Sequence, residues 1–219
     1  MSKEEIITSL REAILNYDIE AAKKAAENAV KAGIDPAEAV EKGLTPGLKE
    51  IGEKFHRYEI FLPHLVLAAD AMTEAMKILE PAMTKEQANR FKKGTIVLGT
   101  VEGDLHDIGK NVVVMVLKSE GFTVHDLGKD VKTSAFIERA QSLNADVIGA
   151  SSLMTTTLPY QRELVEELER LGLRKRFKVV VGGGPVTKEW AEKIGADGWG
   201  RDATEAVRMI SDLLGVKGS

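Results

Sequence analysis

Apolar residues recur every three or four positions from Lys3 to about Met83, and the stripes they form are those of packed helices. Ile6, Ile7, Leu10 and Ile14 share one face; Ile19, Ala22, Ala26, Ala29 and Val30 share the next. Asp18 is placed to cap the second helix and Gly33 to end it, and Asp35-Pro36 supplies a cap followed by proline in the first turn of a third. Thr45-Pro46 either kinks that helix or restarts it, while Val40, Leu44, Leu48, Ile51 and Phe55 carry its stripe onward. A last stripe, Leu65, Val66, Ala69, Met72, Met76 and Leu79, follows Pro63 and ends near Pro81. Four amphipathic helices with short connections predict a four-helix bundle, with the methionines packed inside it.

The pattern changes after Thr84. The segment Thr84 to Lys93 (TKEQANRFKK) is polar and reads as a linker, so the expected domains are residues 1–90 and 91–219. Beyond it, short β-branched runs alternate with helical stretches. The expected strands are TIVLGT (95–100), FTVHDL (122–127), DVIGAS (146–151), KVVVGG (178–183) and DGWG (197–200), with helices starting near Gly109, Thr133, Leu158, Thr187 and Asp202. Regular strand-helix alternation implies right-handed crossovers and a parallel sheet covered on both faces. The fold class is therefore α/β: an N-terminal four-helix bundle followed by a flavodoxin/Rossmann-like five-stranded parallel sheet, with expected strand order 2-1-3-4-5.

Composition narrows the chemistry. The 219 residues are 43% hydrophobic, enough for ordinary buried cores, and 30 Lys+Arg against 34 Asp+Glu leave a net charge of -4. That balance offers no basic field to nucleic acid. The absence of cysteine excludes disulfides, thiolate zinc sites and cysteine-ligated iron–sulfur clusters. The start, MSKEEIITSLREAI, is charged and amphipathic, and no apolar run approaches the roughly 20 residues that span a bilayer. A cytoplasmic protein with no membrane partner is expected.

In an open parallel sheet of this order, ligands lie at the carboxyl ends of the strands, where the crevice opens between strands 1 and 3. The loop after strand 1 holds Gly103, Asp104, Leu105, His106, Asp107, Ile108 and Gly109; the segment after strand 3 holds Ser151, Leu153, Thr155 and Thr157; the one after strand 4 holds Gly182 and Gly183. The first loop lacks GxGxxG and the Walker pattern, so phosphate cradling is not its evident task. It presents instead a histidine with a carboxylate two residues away, which can accept one ring N–H and leave the other nitrogen as a metal ligand. One nitrogen holds a bare ion poorly; a metal already chelated by a macrocycle needs one axial ligand. Asp107 is also placed to cap the helix that begins near Gly109. His56, His64 and His125 lack comparable surroundings.

These residues resemble the cobalamin-binding domains of methionine synthase and of the corrinoid proteins of anaerobic methyltransferase systems. DLHDIGKN matches the family's Asp-x-His-x-x-Gly signature, SSLMTTT its second cofactor segment, GGGPVTKEWAEKIGADGWG its third, and GEKFHRYEIFLPHLVLAADAM its helical cap. The resemblance spans nearly the whole chain. It implies a cobalamin or related corrinoid, with His106 binding cobalt in place of the cofactor's own benzimidazole base and Asp104 as its hydrogen-bond partner. Thr157 falls where methionine synthase has a serine that completes an Asp-His relay. Ser151 and Thr155 match contacts to the nucleotide tail, and Gly182 and Gly183 match the segment where backbone approaches that tail closely. In the cap, Phe61, Leu62 and Leu65 are the residues expected to cover the methyl-bearing face.

The resemblance implies a methyl carrier, not catalytic on its own, whose cobalt accepts a methyl group from a substrate-specific methyltransferase and passes it to a second one. Its implied partners are those two enzymes, the second of a corrinoid:thiol or tetrahydrofolate type, and a reductive activation protein. The LMTTT and PVTKEWAEKIGAD stretches look closest to methylamine-type carriers; methoxy-aromatic, betaine and methanol systems use similar ones. An adenosylcobalamin mutase subunit, a corrinoid-dependent sensor and a nucleotide-binding domain are the rival readings. The cap argues against the first, the lack of an output segment against the second, and the histidine loop against the third.

Overall fold

The computed structural model describes residues 1–91 and 93–216, without the side chains of His56, Asn89 and Arg90. Lys92, inside the expected linker, and residues 217–219 lie outside the described residues, as does any role for the His56 side chain. The chain forms two compact units, one over Met1–Lys92 and one over Lys93–Gly218.

The first unit is helical. Helix α1 (Lys3–Leu15) starts at a capping box in which Ser2 Oγ accepts the Glu5 N–H and Glu5 accepts the Ser2 N–H. Helix α2 (Ile19–Lys31) starts where Asp18 accepts the Ala21 N–H at 2.9 Å. Asp35 caps the short α3 (Pro36–Ala39), which runs through a π turn (Val40–Leu44) into α4 (Thr45–His56). The α-helix thus restarts at Thr45-Pro46, with the proline in its first turn, where its missing N–H costs least, and one wider turn joins it to α3. Helix α5 (Leu62–Leu79) completes the bundle, whose core holds Leu10, Ile14, Leu44, Ile51 and Leu79, with Met72, Met76 and Met83 packed against it.

One expectation fails at the unit's end. The polar run after Thr84 is no bare linker: it contains helix α6 (Lys85–Phe91). Thr84 Oγ1 accepts the Gln87 N–H and Gln87 returns the bond to the Thr84 N–H, the Thr-x-x-Gln form of a capping box, and Phe91 packs onto the bundle core.

The second unit is a parallel sheet of order β2-β1-β3-β4-β5, as the strand–helix alternation implied. Its strands are β1 (Thr95–Thr100), β2 (Thr123–Asp126), β3 (Val147–Ser151), β4 (Lys178–Gly182) and β5 (Gly198–Gly200). Alternate residues feed opposite faces. Ile96, Leu98, Val147 and Val180 pack with Leu117 of α7 (Ile108–Ser119) and Ile210 of α11 (Ala203–Leu214). Val97, Ile148, Val179 and Val181 pack with Phe136 of α8 (Thr133–Ser142), Leu164 of α9 (Leu158–Arg170) and Ile194 of α10 (Lys188–Ile194). Burial on both faces is why these strands read as continuous apolar runs. Each such side chain contributes about 1.5–3 kcal/mol by leaving water, enough to hold the strand ends in fixed register. Among the described residues no helix is long and apolar enough to cross a membrane.

Candidate cofactor site

Three loops leave the carboxyl ends of β1, β3 and β4 side by side. The register continues past the strands: Val101 N–H donates to the Ser151 carbonyl at 3.0 Å, and Ser152 N–H to the Gly182 carbonyl at 3.0 Å. A tight turn then reverses the first loop, with Asp104 N–H on the Val101 carbonyl and Gly103 at φ +75°, a left-handed conformation suited to glycine. The turn delivers the Asp104 carboxylate into the interior, where the residue is 0% exposed.

Buried charge must be met by donors, and four converge on Asp104. Oδ1 accepts the His106 Nδ1–H at 2.7 Å and the His106 backbone N–H at 3.1 Å. Oδ2 accepts the Leu153 N–H at 2.6 Å and the Thr157 hydroxyl at 3.1 Å. Burial pushes the carboxyl's pKa up, but the Leu153 and His106 N–H groups, the His106 ring and the Thr157 hydroxyl outweigh it and bring the value down to about 2. At neutral pH Asp104 is therefore ionised and accepts only, so the shared proton sits on His106 Nδ1. In the tautomer with that proton on Nδ1, the lone pair lies on Nε2. Because the His106 side chain is 53% exposed, that nitrogen is the one available to an external ligand. Thr100 Oγ1 fixes the backbone beneath it, donating to the His106 carbonyl at 2.9 Å.

Around this pair stand apolar side chains that water does not favour: Leu105 is 63% exposed, Ile108 81% and Leu153 48%. Gly183 closes the site against β3. At φ +120° a Cβ on it would lie 1.8 Å from the Ser152 carbonyl oxygen, so only glycine permits the approach. Gly182 lies at the end of β4, Ser151 is half-buried at the end of β3, and Thr155 and Gly109 are exposed on the same edge. Asp107 does not cap α7. Its side chain makes no capping bond; its carbonyl accepts the Asn111 N–H at 2.7 Å and its carboxylate lies 3.9 Å from Lys129 Nζ.

In the helical unit Phe61 is 73% exposed just before α5, Leu62 is half-buried and Leu65, 4% exposed, belongs to the bundle core. His64 Nδ1 accepts the Phe61 N–H at 3.2 Å, which orders the start of α5. On β2, His125 is half-buried, and burial followed by the Arg139 and Lys118 charges lowers its pKa.

Neither periodicity nor motif marks the brace that holds the first loop. The segment after β2 carries Asp130, whose carboxylate accepts the Gly103 N–H at 2.7 Å and whose own N–H donates to the Asp104 carbonyl at 3.1 Å. Lys110, buried in the first turn of α7, binds both oxygens of Asp126 at 2.6 Å. The one available signal was the polar run GKDVK (128–132), which the expected strand order sets beside the loop after β1. Ser152, which the SSLMTTT match does not single out, lies fully buried beside Thr157.

A model of the B12 binding domain matches residues 94–208, and a second B12 binding domain model matches residues 6–80. The chain belongs to the B12-binding family. Relatives of nearly the same length agree. The chain is 49% identical over 214 residues to dimethylamine corrinoid protein 1 of Methanosarcina acetivorans, covering 98% of this chain and 100% of that one. It is 46% identical over 213 residues to trimethylamine corrinoid protein 1 of the same organism, covering 97% and 99%. Among solved structures, the methanol:cobalamin methyltransferase complex of Methanosarcina barkeri aligns with a TM-score of 0.81 at 28% identity, over 100% of this chain and 83% of that one. The monomethylamine corrinoid protein of Methanosarcina barkeri aligns at 34% identity with a TM-score of 0.54, over 97% and 100%.

As a B12-binding protein the chain takes a corrinoid cofactor, and the residues present fit that group. Among the described residues no three His, Cys, Asp or Glu side chains gather to hold a metal ion by themselves. A corrinoid needs none, because its ring already holds the cobalt; the site offers a single free imidazole nitrogen, exposed apolar side chains for the ring, and at Gly183 a wall without a side chain.

Proposed function

We propose that this protein carries methyl groups on a bound corrinoid, accepting them from a methyltransferase specific for a methylated amine and delivering them to a second methyltransferase of corrinoid:thiol or tetrahydrofolate type. The observation that carries this reading is the His106 ring: exposed, fixed in one tautomer by ionised Asp104, and set among exposed apolar side chains at the carboxyl edge of the sheet. The methylamine assignment is supported by the near full-length identity to di- and trimethylamine corrinoid proteins.

Bound corrinoid supplies the cobalt on which a methyl group can be accepted and released. The chain's own residues do the rest. His106 would hold the cobalt through Nε2, and Asp104, by accepting Nδ1–H, restrains the ring and would strengthen that nitrogen as a donor. Thr157 shares the Asp104 charge and so tempers that push. Leu105, Ile108 and Leu153 would shed water against a bound corrin ring, Ser151 and Thr155 would offer hydroxyls to its tail, and Gly182-Gly183 would let backbone come close to that tail. A carrier has to be reached by enzymes that dock in turn, and we assign both half-reactions, and reductive reactivation of oxidised cofactor, to separate cytoplasmic proteins.

The decisive test reconstitutes wild type and His106→Ala with methylcobalamin without oxygen, then adds an amine methyltransferase partner. Wild type should show the absorption spectrum of histidine-ligated corrinoid and exchange methyl groups only when the partner is present. An unchanged spectrum in His106→Ala would end the ligation reading. Demethylation of an amine by the carrier alone would end the carrier reading.

A further inference from the structure

Ser152 enters none of the roles above, yet its hydroxyl lies at the inner end of the same hydrogen-bond chain. The residue is 0% exposed. Its Oγ is 2.8 Å from Thr157 Oγ1 and 3.1 Å from the Met154 carbonyl oxygen. Thr157 Oγ1 in turn reaches two acceptors, Asp104 Oδ2 at 3.1 Å and the Met154 carbonyl at 3.0 Å. Each hydroxyl has one hydrogen to give. Thr157 must therefore choose between the carboxylate and the carbonyl, and its choice decides whether Asp104 is met by four donors or three.

Ser152 biases that choice. It too has one hydrogen and two acceptors: on Thr157 Oγ1 it makes the Thr157 O–H a stronger donor, which an ionised carboxylate rewards more than a neutral carbonyl does, and on the Met154 carbonyl it occupies the acceptor that competes with Asp104. We propose that Ser152 is a positioning residue for His106: with its hydrogen on either acceptor it keeps the Thr157 hydrogen on Asp104 and thereby limits how strongly Asp104 draws on the His106 ring. This rests on the reading of His106 as the cobalt ligand and adds a fourth member, Ser152, to the chain Thr157-Asp104-His106.

The position of Ser152 is itself controlled from β4. Its N–H is held by the Gly182 carbonyl at 3.0 Å, and its own carbonyl lies against Gly183, where a Cβ would come within 1.8 Å. The glycine segment proposed to meet the nucleotide tail and the histidine proposed to meet cobalt are thus joined through one buried serine.

The sign of the effect follows. Without Ser152 Oγ, Thr157 turns toward the Met154 carbonyl, Asp104 keeps more charge for Nδ1–H, and His106 becomes the stronger ligand. In full-length protein reconstituted with methylcobalamin, Ser152→Ala should move the ratio of histidine-bound to histidine-free corrinoid, read from the absorption spectrum, about three- to ten-fold toward the bound form. In a Thr157→Val background the same substitution should do nothing, because its route is gone. No shift in Ser152→Ala, or a full shift that persists with Thr157→Val, overturns the inference. A His106→Ala spectrum identical to wild type overturns the underlying ligation instead, so the two failures are told apart. A purely structural serine would change the melting temperature of the cofactor-free protein and leave the spectral ratio alone. Should Ser152→Ala fail to load corrinoid, Ser152→Cys, which keeps a weak donor in the slot, takes its place and should give a smaller shift of the same sign.

Discussion

At the residue scale, the site depends on a carboxylate that is buried and ionised at once. Asp104 survives burial because two backbone and two side-chain donors replace the water it lost. Its folded pKa of about 2 lies below the ordinary 3.8, so the folded state prefers the ionised form. The resulting stability is present in full above the ordinary value and is lost as pH falls from there through about 2. Acid titration of the cofactor-free protein, followed by circular dichroism, should show this loss. In Asp104→Asn the pH-dependent part should shrink, and the protein should be about 2–3 kcal/mol less stable at neutral pH, because an amide N–H₂ then faces donors that have no acceptor left. The same geometry explains what residue-level reasoning could and could not see. Asp104 and His106 stand two apart in a loop after a strand, so their pairing was legible; Ser152 and Asp130 act through partners far along the chain and carry no local signature.

At the element scale, the site is a matter of strand ends held in register. β3 and β4 bring Ser152 and Gly182 together, and the contact tolerates no side chain at Gly183. Gly183→Ala should cost about 3 kcal/mol or more, from the strained positive φ and the clash with the Ser152 carbonyl. A chemical-denaturation curve would measure it, and corrinoid affinity should fall with stability because Ser152 moves too. The strands and the helices that follow them were readable almost to the residue, since a sheet buried on both faces demands continuous apolar runs. Helix α6 was not, because its short polar sequence lacks an apolar stripe and only its Thr84/Gln87 capping box marks it. The π turn before α4 was equally hidden, as proline permits several local solutions.

At the scale of the whole molecule, the two units each carry their own core, and the B12-binding family spans both. A ligand that binds only the folded state must stabilise it. Corrinoid at a hundred times its dissociation constant should therefore add about 2.7 kcal/mol and raise the melting temperature by several degrees. A melting temperature unmoved by saturating cobalamin would show that the fold holds no corrinoid. The net charge of -4 and the absence of cysteine bounded the partners and the metals the chain can use.

What the sequence determined by itself was everything set by short-range pattern: helical stripes, β-branched runs, the strand order that alternation implies, and a histidine loop at the edge where such sheets bind ligands. Those follow from periodicity and burial, which a linear chain displays directly. Beyond His106, whose pairing the spacing suggests, and Thr157, to which the family resemblance points, only the tertiary structure decided who meets Asp104 and steadies its loop. Thr157 lies 53 positions away and Leu153 49, and Asp130 steadies the loop from 27 positions away through Gly103. Such contacts arise because parallel strands deliver their loops to one edge, and the direction of a single hydroxyl hydrogen there depends on neighbours that no local spacing records.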